Sequence, residues 1–524
     1  MTKIVVNNIF SHLETDRQTL KTVRHHVAYR SRLMPPIEAQ KLIKGFFSAR
    51  KRYGRDLERM WADSGMLEKL AEHGVTPETL TRSQFESTLR QRGVWDGWVR
   101  MVEGSGKFPT GLLRHVERAL TLRAEIHDYT VDDARSKPPA GIPAPEIDLF
   151  DYQKEAVEAF LGESRGVVNL PPRSGKTRIA AGVIARLGLP TLYLAPTVGI
   201  VNQTQAVFSE LLPTLTTIAL HGGLSSSAKK HREILKAHVW VATPRTAVKL
   251  PNLHNRHLLV IDEFHHSSAK TWQAVSHAAV GAYWRLGLTG THFRADGKDM
   301  EMSGVLGRAI YTRSVGDMVD LGRLVPAKIA MLRIRGTVEG SGYEVYREGV
   351  VDNDHRNEVL AMAANRLVED GRRVLVLTKE IGHAQTLSSM IRGSVAVDGR
   401  DNDNVDAMLK ALADVNNPVK AVVGTSVIGE GRDVPAADAV VYASGGQSKV
   451  KVVQDYFRAL TANVGKSAAI IVDAADTQHP ILSKHAARRL QHYRMESAFD
   501  AAVVEPNEFA SWLYDNRTIG KQGA

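Results

Sequence analysis

From residue 147 onward the chain alternates between short apolar runs and longer segments with the period of amphipathic helices. The apolar runs are rich in Val, Ile and Leu, and each is followed by a stretch long enough to form a helix. Uninterrupted runs of this kind are typical of parallel strands that are buried on both faces of a sheet. The pattern therefore predicts doubly wound α/β sheets.

The apolar runs fall into two series, which predicts two such sheets in tandem. The first series covers 167–170, 191–196, 239–244, 258–263 and 284–290, and the second covers 373–378, 394–399, 421–426, 439–444 and 468–473. A Pro-rich segment without amphipathic period precedes them and is interpreted as a linker. The predicted organisation is a small α+β N-terminal domain over 1–134, a linker over 135–146, α/β domains over 147–325 and 326–500, and a C-terminal tail over 501–524.

Composition excludes several classes of site. The 524 residues contain no cysteine, which rules out disulfides, thiolate zinc sites and cysteine nucleophiles. No stretch approaches about 18 consecutive apolar residues, and the N-terminus has acids and His where a signal peptide would be apolar. We expect a cytoplasmic protein, in the host cytoplasm if it is phage-encoded, with no membrane partner.

The positive charge is concentrated near the N-terminus. The chain carries a net charge of +11, and residues 1–145 hold 24 Lys+Arg against 17 Asp+Glu, a surplus of +7. This asymmetry favours a polyanionic partner, most simply a nucleic acid, although solubility alone explains the charge equally well.

A phosphate-binding loop is predicted after the run at 167–170. The segment Pro171-Pro-Arg-Ser-Gly-Lys-Thr177 lies between a predicted strand and a helical pattern, so its backbone N–H groups would face an anion. Lys176 would reach the outer phosphates and Thr177 would offer a hydroxyl to Mg²⁺. Leu170 stands where the strict pattern has glycine. The residues predicted to bind ATP here are Ser174, Gly175, Lys176 and Thr177.

An acidic pair follows another predicted buried strand, in LLVIDEFHH over 258–266. Asp262 would bind Mg²⁺ and Glu263 would orient the attacking water, although an acidic pair at a strand end is also common on protein surfaces. Together with the upstream Gly-Lys-Thr, the pair indicates a nucleotide hydrolase that uses ATP and Mg²⁺.

These motifs resemble those of superfamily-two helicases and translocases of the DExH type, in the family's order over about 147–495. The resemblance implies two RecA-like motor domains, with His265 and Gln454 in the catalytic set and Gln153, Gly431 and Asp433 facing the nucleotide. It further implies that Thr289 and Thr291 couple hydrolysis to movement. The nucleic-acid contacts that it implies are Thr197, Thr243, Arg294 and Thr425.

Three motifs depart from the family's pattern. Gly290 replaces the usual alanine of the coupling motif, and Pro172-Arg173 fill places that are often Thr-Gly in the phosphate loop. In the last motif Arg458 is retained, but Thr461 stands where a second arginine belongs. By resemblance Arg458 is the principal arginine finger across the interdomain cleft, and Arg432 is the alternative.

The N-terminal domain contains a Trp-Asp-Gly turn within 93–101, followed by a Gly-Leu helix start near 111–113. This arrangement resembles the N-terminal domain of UvsW-type phage helicases, which act on branched DNA. Trp98 and Arg100 are candidates to stack on bases and to bind phosphate. Packing within a hairpin is the alternative role for the tryptophan.

The function that these features predict is an ATP-dependent DNA helicase or translocase acting on branched or duplex DNA in replication, recombination or repair. RNA is left open as a substrate, and recombination or replication proteins are the expected partners. Two alternatives remain: a translocase subunit of a restriction or remodelling complex, and a weakly hydrolysing, ATP-gated nucleic-acid-binding protein.

Overall fold

The computed structural model describes residues 2–30, 98–142, 144–222, 228–263, 270–290, 299–398, 401–414, 416–425, 437–446, 457–462 and 466–516. Their strands form a four-stranded sheet, a two-stranded sheet and two sheets of seven strands. No helix within these ranges is both long and apolar enough to cross a membrane.

The N-terminal domain is a small α+β unit built on the four-stranded sheet, in the order β5-β2-β1-β6. Its elements are β1 (Thr2–Val6), β2 (Phe10–Glu14), α1 (Arg17–His26), β3 (Ala28–Arg30), β4 (Trp98–Arg100), β5 (Lys107–Pro109), a 3₁₀ turn (Thr110–Leu112), α2 (Leu113–Arg123) and β6 (Tyr129–Asp133). Burial alternates along β1, and one face of the sheet shares a hydrophobic core with α1 and α2. Asp16 begins α1 by accepting bonds from the backbone N–H groups of Gln18 and Thr19.

The first of the two α/β domains, named the first motor domain after the resemblance described above, contains a parallel sheet in the order β13-β7-β12-β11-β8-β10-β9. Its strands are β7 (Arg165–Asn169), β8 (Thr191–Leu194), β9 (Thr217–Leu220), β10 (Val239–Ala242), β11 (Leu258–Ile261), β12 (Trp284–Thr289) and β13 (Ala309–Thr312). Its helices are α3 (Asp151–Glu163), α4 (Lys176–Leu187), α5 (Val198–Leu211), α6 (Ala228–Lys236), α7 (Pro244–Ala247), α8 (Lys270–Ala278), α9 (Asp299–Leu306) and α10 (Val315–Asp320), with a 3₁₀ turn at Leu253–Asn255.

The second motor domain repeats this architecture, in the order β16-β17-β15-β18-β19-β14-β20. Its strands are β14 (Ala327–Ile334), β15 (Val374–Thr378), β16 (Ser394–Val397), β17 (Ala421–Thr425), β18 (Ala439–Tyr442), β19 (Ala469–Asp476) and β20 (Phe499–Val504). Its helices are α11 (Gly342–Tyr346), α12 (Asp354–Glu369), α13 (Ile381–Met390), α14 (Asn402–Ala413), α15 (Pro480–Arg494) and α16 (Phe509–Asp515), with a π turn at Arg347–Val351 and 3₁₀ turns at Phe457–Ala459 and Pro506–Glu508.

Two parallel seven-stranded sheets behind a small α+β domain confirm the predicted fold class. The domain boundaries stay a prediction. For the C-terminal part we propose a different division from the predicted tail, because β20 pairs with β14, and Phe509 and Leu513 lie in the core of the second sheet. We therefore place residues up to 515 with the second motor domain.

The motor domains contain fully buried arginines, and two of them, Arg285 and Arg489, are held by different kinds of contact. Arg285 donates to the carbonyl oxygens of Ala282, Ser276 and Ala279, and burial lowers its pKa to about 10. Arg489 instead forms an ion pair with Asp473, at 2.8 Å, and this pairing joins α15 to β19. Both arginines fasten helices to a sheet, the first through the backbone and the second through charge.

Candidate nucleotide site and nucleic-acid interface

The loop between β7 and α4 has the shape of an anion cradle. Gly175 is the N-cap of α4 with φ 72°, a backbone conformation that favours glycine, and a Cβ there would lie 2.5 Å from Gln153 Nε2. Ser174 is buried, and its hydroxyl donates to Pro171 O at 2.8 Å, which closes the turn. The N-terminus of a twelve-residue helix, with its unsatisfied N–H groups, is thereby presented at the carboxyl end of a central strand.

Lys176 lies over this loop. Its ammonium donates to Leu170 O and Pro171 O, at 3.2 Å each. These two neutral carbonyls hold the charge at the mouth of the loop, where phosphate oxygens are better acceptors for it. Thr177 follows in the first turn of α4 and is half-buried.

Asp262 and Glu263 follow β11, in the middle of the same sheet. Asp262 is buried, its backbone N–H donates to Leu194 O at 2.9 Å, and its Oδ1 accepts from the N–H of Glu263 at 2.9 Å. Burial and the adjacent Glu263 carboxylate raise the pKa of Asp262 to about 6, while Lys176 opposes the rise. The ionised pair is therefore short of positive charge, and its oxygen donors fit a hard divalent cation.

Gln153 connects the start of α3 to the phosphate loop. Its Oε1 accepts from Phe150 N at 3.0 Å, and its Nε2 donates to Ser174 O at 3.3 Å. The hydroxyl of Tyr152 donates to the same carbonyl at 2.8 Å. The predicted base-reading segment and the phosphate loop are thus one bonded unit. That Gln153 reads the base stays a prediction.

Two of the predicted nucleic-acid contacts lie at one edge of the first sheet. Thr197 is the N-cap of α5 and follows β8, while Thr243 is the N-cap of α7 and follows β10. Because β8 and β10 are parallel neighbours in register, both threonines lie at the carboxyl edge of the sheet. Thr425 ends β17 of the second sheet. Trp98 and Arg100 bound β4, which pairs with β3 in the N-terminal domain.

Known proteins are similar in sequence to this chain. A family model described as "Type III restriction enzyme, res subunit" matches residues 146–294. The "ATP-dependent DNA helicase uvsW" of Enterobacteria phage T4 is 23% identical over 416 residues, covering 74% of this chain and 82% of that protein. The "DNA 3'-5' translocase XPB2" of Sulfurisphaera tokodaii is 25% identical over 359 residues, covering 60% of this chain and 79% of that one. The chain resembles superfamily-two helicases of the UvsW type.

A solved structure supports the fold assignment. The "ATP-dependent Type ISP restriction-modification enzyme LlaBIII bound to DNA" aligns with a TM-score of 0.53 at 16% identity, covering 72% of this chain and 33% of that one. This likeness concerns the fold alone. The similarity to helicases implies that the chain uses ATP.

Two of the departures from the superfamily-two pattern contact each other. A Cβ on Gly290 would lie 3.1 Å from Pro172 Cδ and 3.3 Å from Lys176 Nζ, so the usual alanine would crowd this proline. Thr289, just before it, is buried, and its carbonyl accepts from Leu170 N at 3.0 Å. Arg173 has φ 70°, a conformation that costs a non-glycine residue energy and explains the glycine often found there in the superfamily.

The second motor domain supplies fewer described site residues. Arg458 lies in the 3₁₀ turn Phe457–Ala459, next to the buried Leu460. The other predicted site residues fall outside the described ranges, namely His265, Thr291, Arg294, Gly431, Asp433 and Gln454. Their roles, like those of the described site residues, stay predictions.

Sequence reasoning missed two side chains around the nucleotide site. Arg323, in the connector between the motor domains, lies over the ring of Phe150, with its guanidinium carbon 3.4 Å from the ring centroid. Lys466 donates to Ala437 O at 2.7 Å, and burial lowers its pKa to about 8, with Arg173 among the cations that add to this effect. Its position in Gly-Lys-Ser shortly after Thr461 is the signal that could have drawn attention to it.

Proposed function

We propose that the chain is an ATP-dependent DNA helicase or translocase that acts on branched or duplex DNA. The observation that carries this proposal is the convergence of the phosphate loop, Lys176, the buried Asp262 and the adjacent Glu263 at the carboxyl edge of one sheet. Both relatives named above carry DNA activities in their names, and both are covered over most of their length.

Residues of the first motor domain would take separate roles in ATP binding and hydrolysis. Lys176 would exchange its two carbonyl contacts for phosphate oxygens, and the N–H groups at the start of α4 would bind the same anion. Thr177 and Asp262 would hold Mg²⁺, which neutralises phosphate charge. Glu263 would accept the proton of the attacking water, and Arg458 would approach from the second motor domain.

The nucleic-acid contacts would follow from the same edges. Thr197 and Thr243 on the first sheet and Thr425 on the second would hold the DNA backbone, so that closing of the cleft moves one set of contacts relative to the other. We further propose that the N-terminal domain selects branched DNA and that recombination or replication proteins are its partners. Its surplus of positive charge supports the first of these statements.

Glu263→Gln tests the catalytic assignment. We expect ATP binding to persist and DNA-stimulated hydrolysis to fall by about 10²–10⁴, since a positioned general base contributes that much. Glu369→Gln on the exposed side of α12 is the matched control and should hydrolyse ATP at the wild-type rate. Unchanged hydrolysis in Glu263→Gln would refute the assignment.

Hydrolysis and strand separation measured side by side on single-stranded, duplex, fork and four-way junction DNA test the function itself. We expect the greatest stimulation and unwinding on the branched substrates. Stimulation by duplex without strand separation would replace the proposal by a translocase subunit. ATP binding without any DNA-stimulated hydrolysis would replace it by an ATP-gated binding protein.

The affinity for Mg²⁺-ATP should depend on pH through Asp262. Because its pKa is raised to about 6, protonation competes with the metal as the pH falls from neutral through that value. We expect calorimetric affinity to fall over this range and excess Mg²⁺ to move the midpoint to lower pH. An affinity that does not change between neutral pH and pH below about 6 would contradict this assignment of the metal ligand.

The raised pKa of Asp262 also predicts how the stability of the nucleotide-free protein depends on pH. A carboxyl whose pKa is raised on folding stabilises the fold below its ordinary value of 3.8 and loses that contribution as the pH rises through about 6. Asp262→Asn should therefore raise the unfolding temperature of the nucleotide-free protein at neutral pH and leave it unchanged in acid.

A further inference from the structure

The contact between Arg323 and Phe150 links the nucleotide site to the connector between the motor domains. The guanidinium carbon lies 3.4 Å from the centroid of the phenyl ring. Phe150 is the N-cap of α3 and is 44% exposed, so its ring is available to a ligand at the edge of the phosphate loop. The charge of Arg323 also reaches Tyr152, where it opposes the rise in pKa that burial causes.

Phe150 is held firmly relative to the phosphate loop. Its backbone N–H donates to Gln153, whose amide donates in turn to Ser174 O, next to the cap of α4. A base attached to a triphosphate in the loop would therefore meet the Phe150 ring at a defined distance. Aromatic rings and guanidinium planes are both surfaces on which a purine stacks.

The backbone of Arg323 is joined to the segment that carries the predicted arginine finger. Ala462 N donates to Arg323 O at 3.4 Å, Leu324 forms a β-bridge with Thr461, and Val325 N donates to Leu460 O at 2.9 Å. Leu460 directly follows the 3₁₀ turn that contains Arg458. Arg323 thus contacts Phe150 through its side chain and the second motor domain through its backbone.

We infer that Arg323 stacks on the purine base of the bound nucleotide and thereby positions the Arg458 segment when the site is filled. The inference rests on the proposed ATP site. An exposed cation–π contact contributes only about 0.5–1 kcal/mol, so a base can replace the phenyl contact or share the guanidinium with it. Base occupancy then changes the contact that Arg323 makes at the connector.

Binding measurements on the full chain test this role. We expect Arg323→Ala to weaken ATP binding about threefold to tenfold, while the affinity for inorganic tripolyphosphate, which has no base, stays unchanged. The preference for ATP over UTP should narrow, because a purine offers the larger stacking surface. Arg323→Lys keeps the positive charge but loses the planar guanidinium. Its affinity for ATP should lie between those of the wild type and Arg323→Ala. Arg366→Ala, at an exposed arginine paired with Glu369 on α12, is the control.

The outcomes separate this inference from the proposed function. Equal weakening of ATP and tripolyphosphate binding, or no weakening of either, would overturn the stacking role of Arg323. The proposed motor function would still stand if the wild-type protein hydrolyses ATP. A wild-type protein that binds ATP no better than Lys176→Ala would overturn the proposed function as well. Thermal unfolding of each variant shows whether a change in binding reflects a change in fold.

Discussion

The N-terminal domain and the second motor domain both contact the first motor domain, and the contacts differ in kind. At the first joint, Asn8 Nδ2 donates to Val280 O at 2.9 Å, and Arg165 donates to Asn8 O and, at 3.1 Å, to Val305 O. The ring of Phe10 packs on His277, with centroids 5.2 Å apart. Breaking these hydrogen bonds is costly, because each break leaves a polar group unpaired.

The second joint passes through the connector at 321–326 and the helix α10. Among the described residues, its polar contacts include the backbone bonds between this connector and 460–462 and the exposed stacking of Arg323 on Phe150. The exposed cation–π contact can rearrange at low cost, whereas Leu324 and Val325 of the connector are buried in a shared core and can act as a fixed pivot. We therefore expect the N-terminal domain to move with the first motor domain, while the cleft between the motor domains opens and closes.

The linker reinforces the first joint. Ile142 N donates to Gly188 O at 2.7 Å, and a Cβ on either Gly141 or Gly188 would collide with the facing backbone. Arg135 stacks on Tyr283 and donates to Ser164 Oγ at 3.0 Å. The Pro-rich segment is therefore packed along the first motor domain where it is described, which limits how far the N-terminal domain can swing.

The largest effect should come from Gly111→Ala at the first joint. The added methyl group would lie 2.7 Å from Gly304 O and from Gly307 N, which are backbone atoms that cannot turn away. We expect a loss of about 1–3 kcal/mol in the free energy of unfolding, as for other overpacked sites. Limited proteolysis should cut the linker faster, and junction DNA should stimulate hydrolysis less.

Gly162→Ala in α3 is the matched control, because nothing lies within 4 Å of its added carbon. It should leave stability unchanged or raise it by about 0.5–1 kcal/mol. If Gly111→Ala is as stable and as resistant to protease as this control, the first joint is not rigid.

A smaller effect is expected from Gly290→Ala on the cleft side of the first motor domain. Its methyl group would crowd Pro172 and Lys176, at 3.1 and 3.3 Å, and displace the ammonium from the loop. We expect hydrolysis about threefold to tenfold slower, with little change in the unfolding temperature. Adding Pro172→Thr should restore the rate, since the two departures compensate for each other. Strictly additive effects in this double-mutant cycle would contradict the compensation.

The predictions from sequence succeeded where local pattern decides structure. Central strands such as β8 and β11 are continuous apolar runs, and the phosphate loop is specified by Gly175 within a strand–loop–helix pattern. The edge strands β9 and β13 were missed because half-buried residues weaken the apolar pattern. The central strand β14 was missed because Lys328 and Arg333 interrupt it; both reach out to carboxylates at Asp500 and Glu505.

The contacts between domains could not be predicted for a different reason. Arg323 and Phe150 are far apart in the sequence, and neither stands in a pattern that pairs them. Gly290 and Pro172 likewise follow the ends of two different strands. The sequence does not show that these two departures from the helicase pattern lie next to each other, because only the pairing of the strands brings them together. Local periodicity specifies elements, whereas tertiary packing specifies which ends meet.

The smallest effect should come from Gly316→Ala in α10, at the second joint. Its methyl group would lie 2.8 Å from Ser497 Oγ, which is the end of a side chain that can rotate away. Alanine also favours the helix, so we expect a net change within about 0.5 kcal/mol. Adding Ser497→Ala should remove the remaining conflict and leave a small gain. A loss as large as that of Gly111→Ala, measured by chemical unfolding of both variants, would mean that the two joints are packed alike, and the hinge would then have to lie elsewhere.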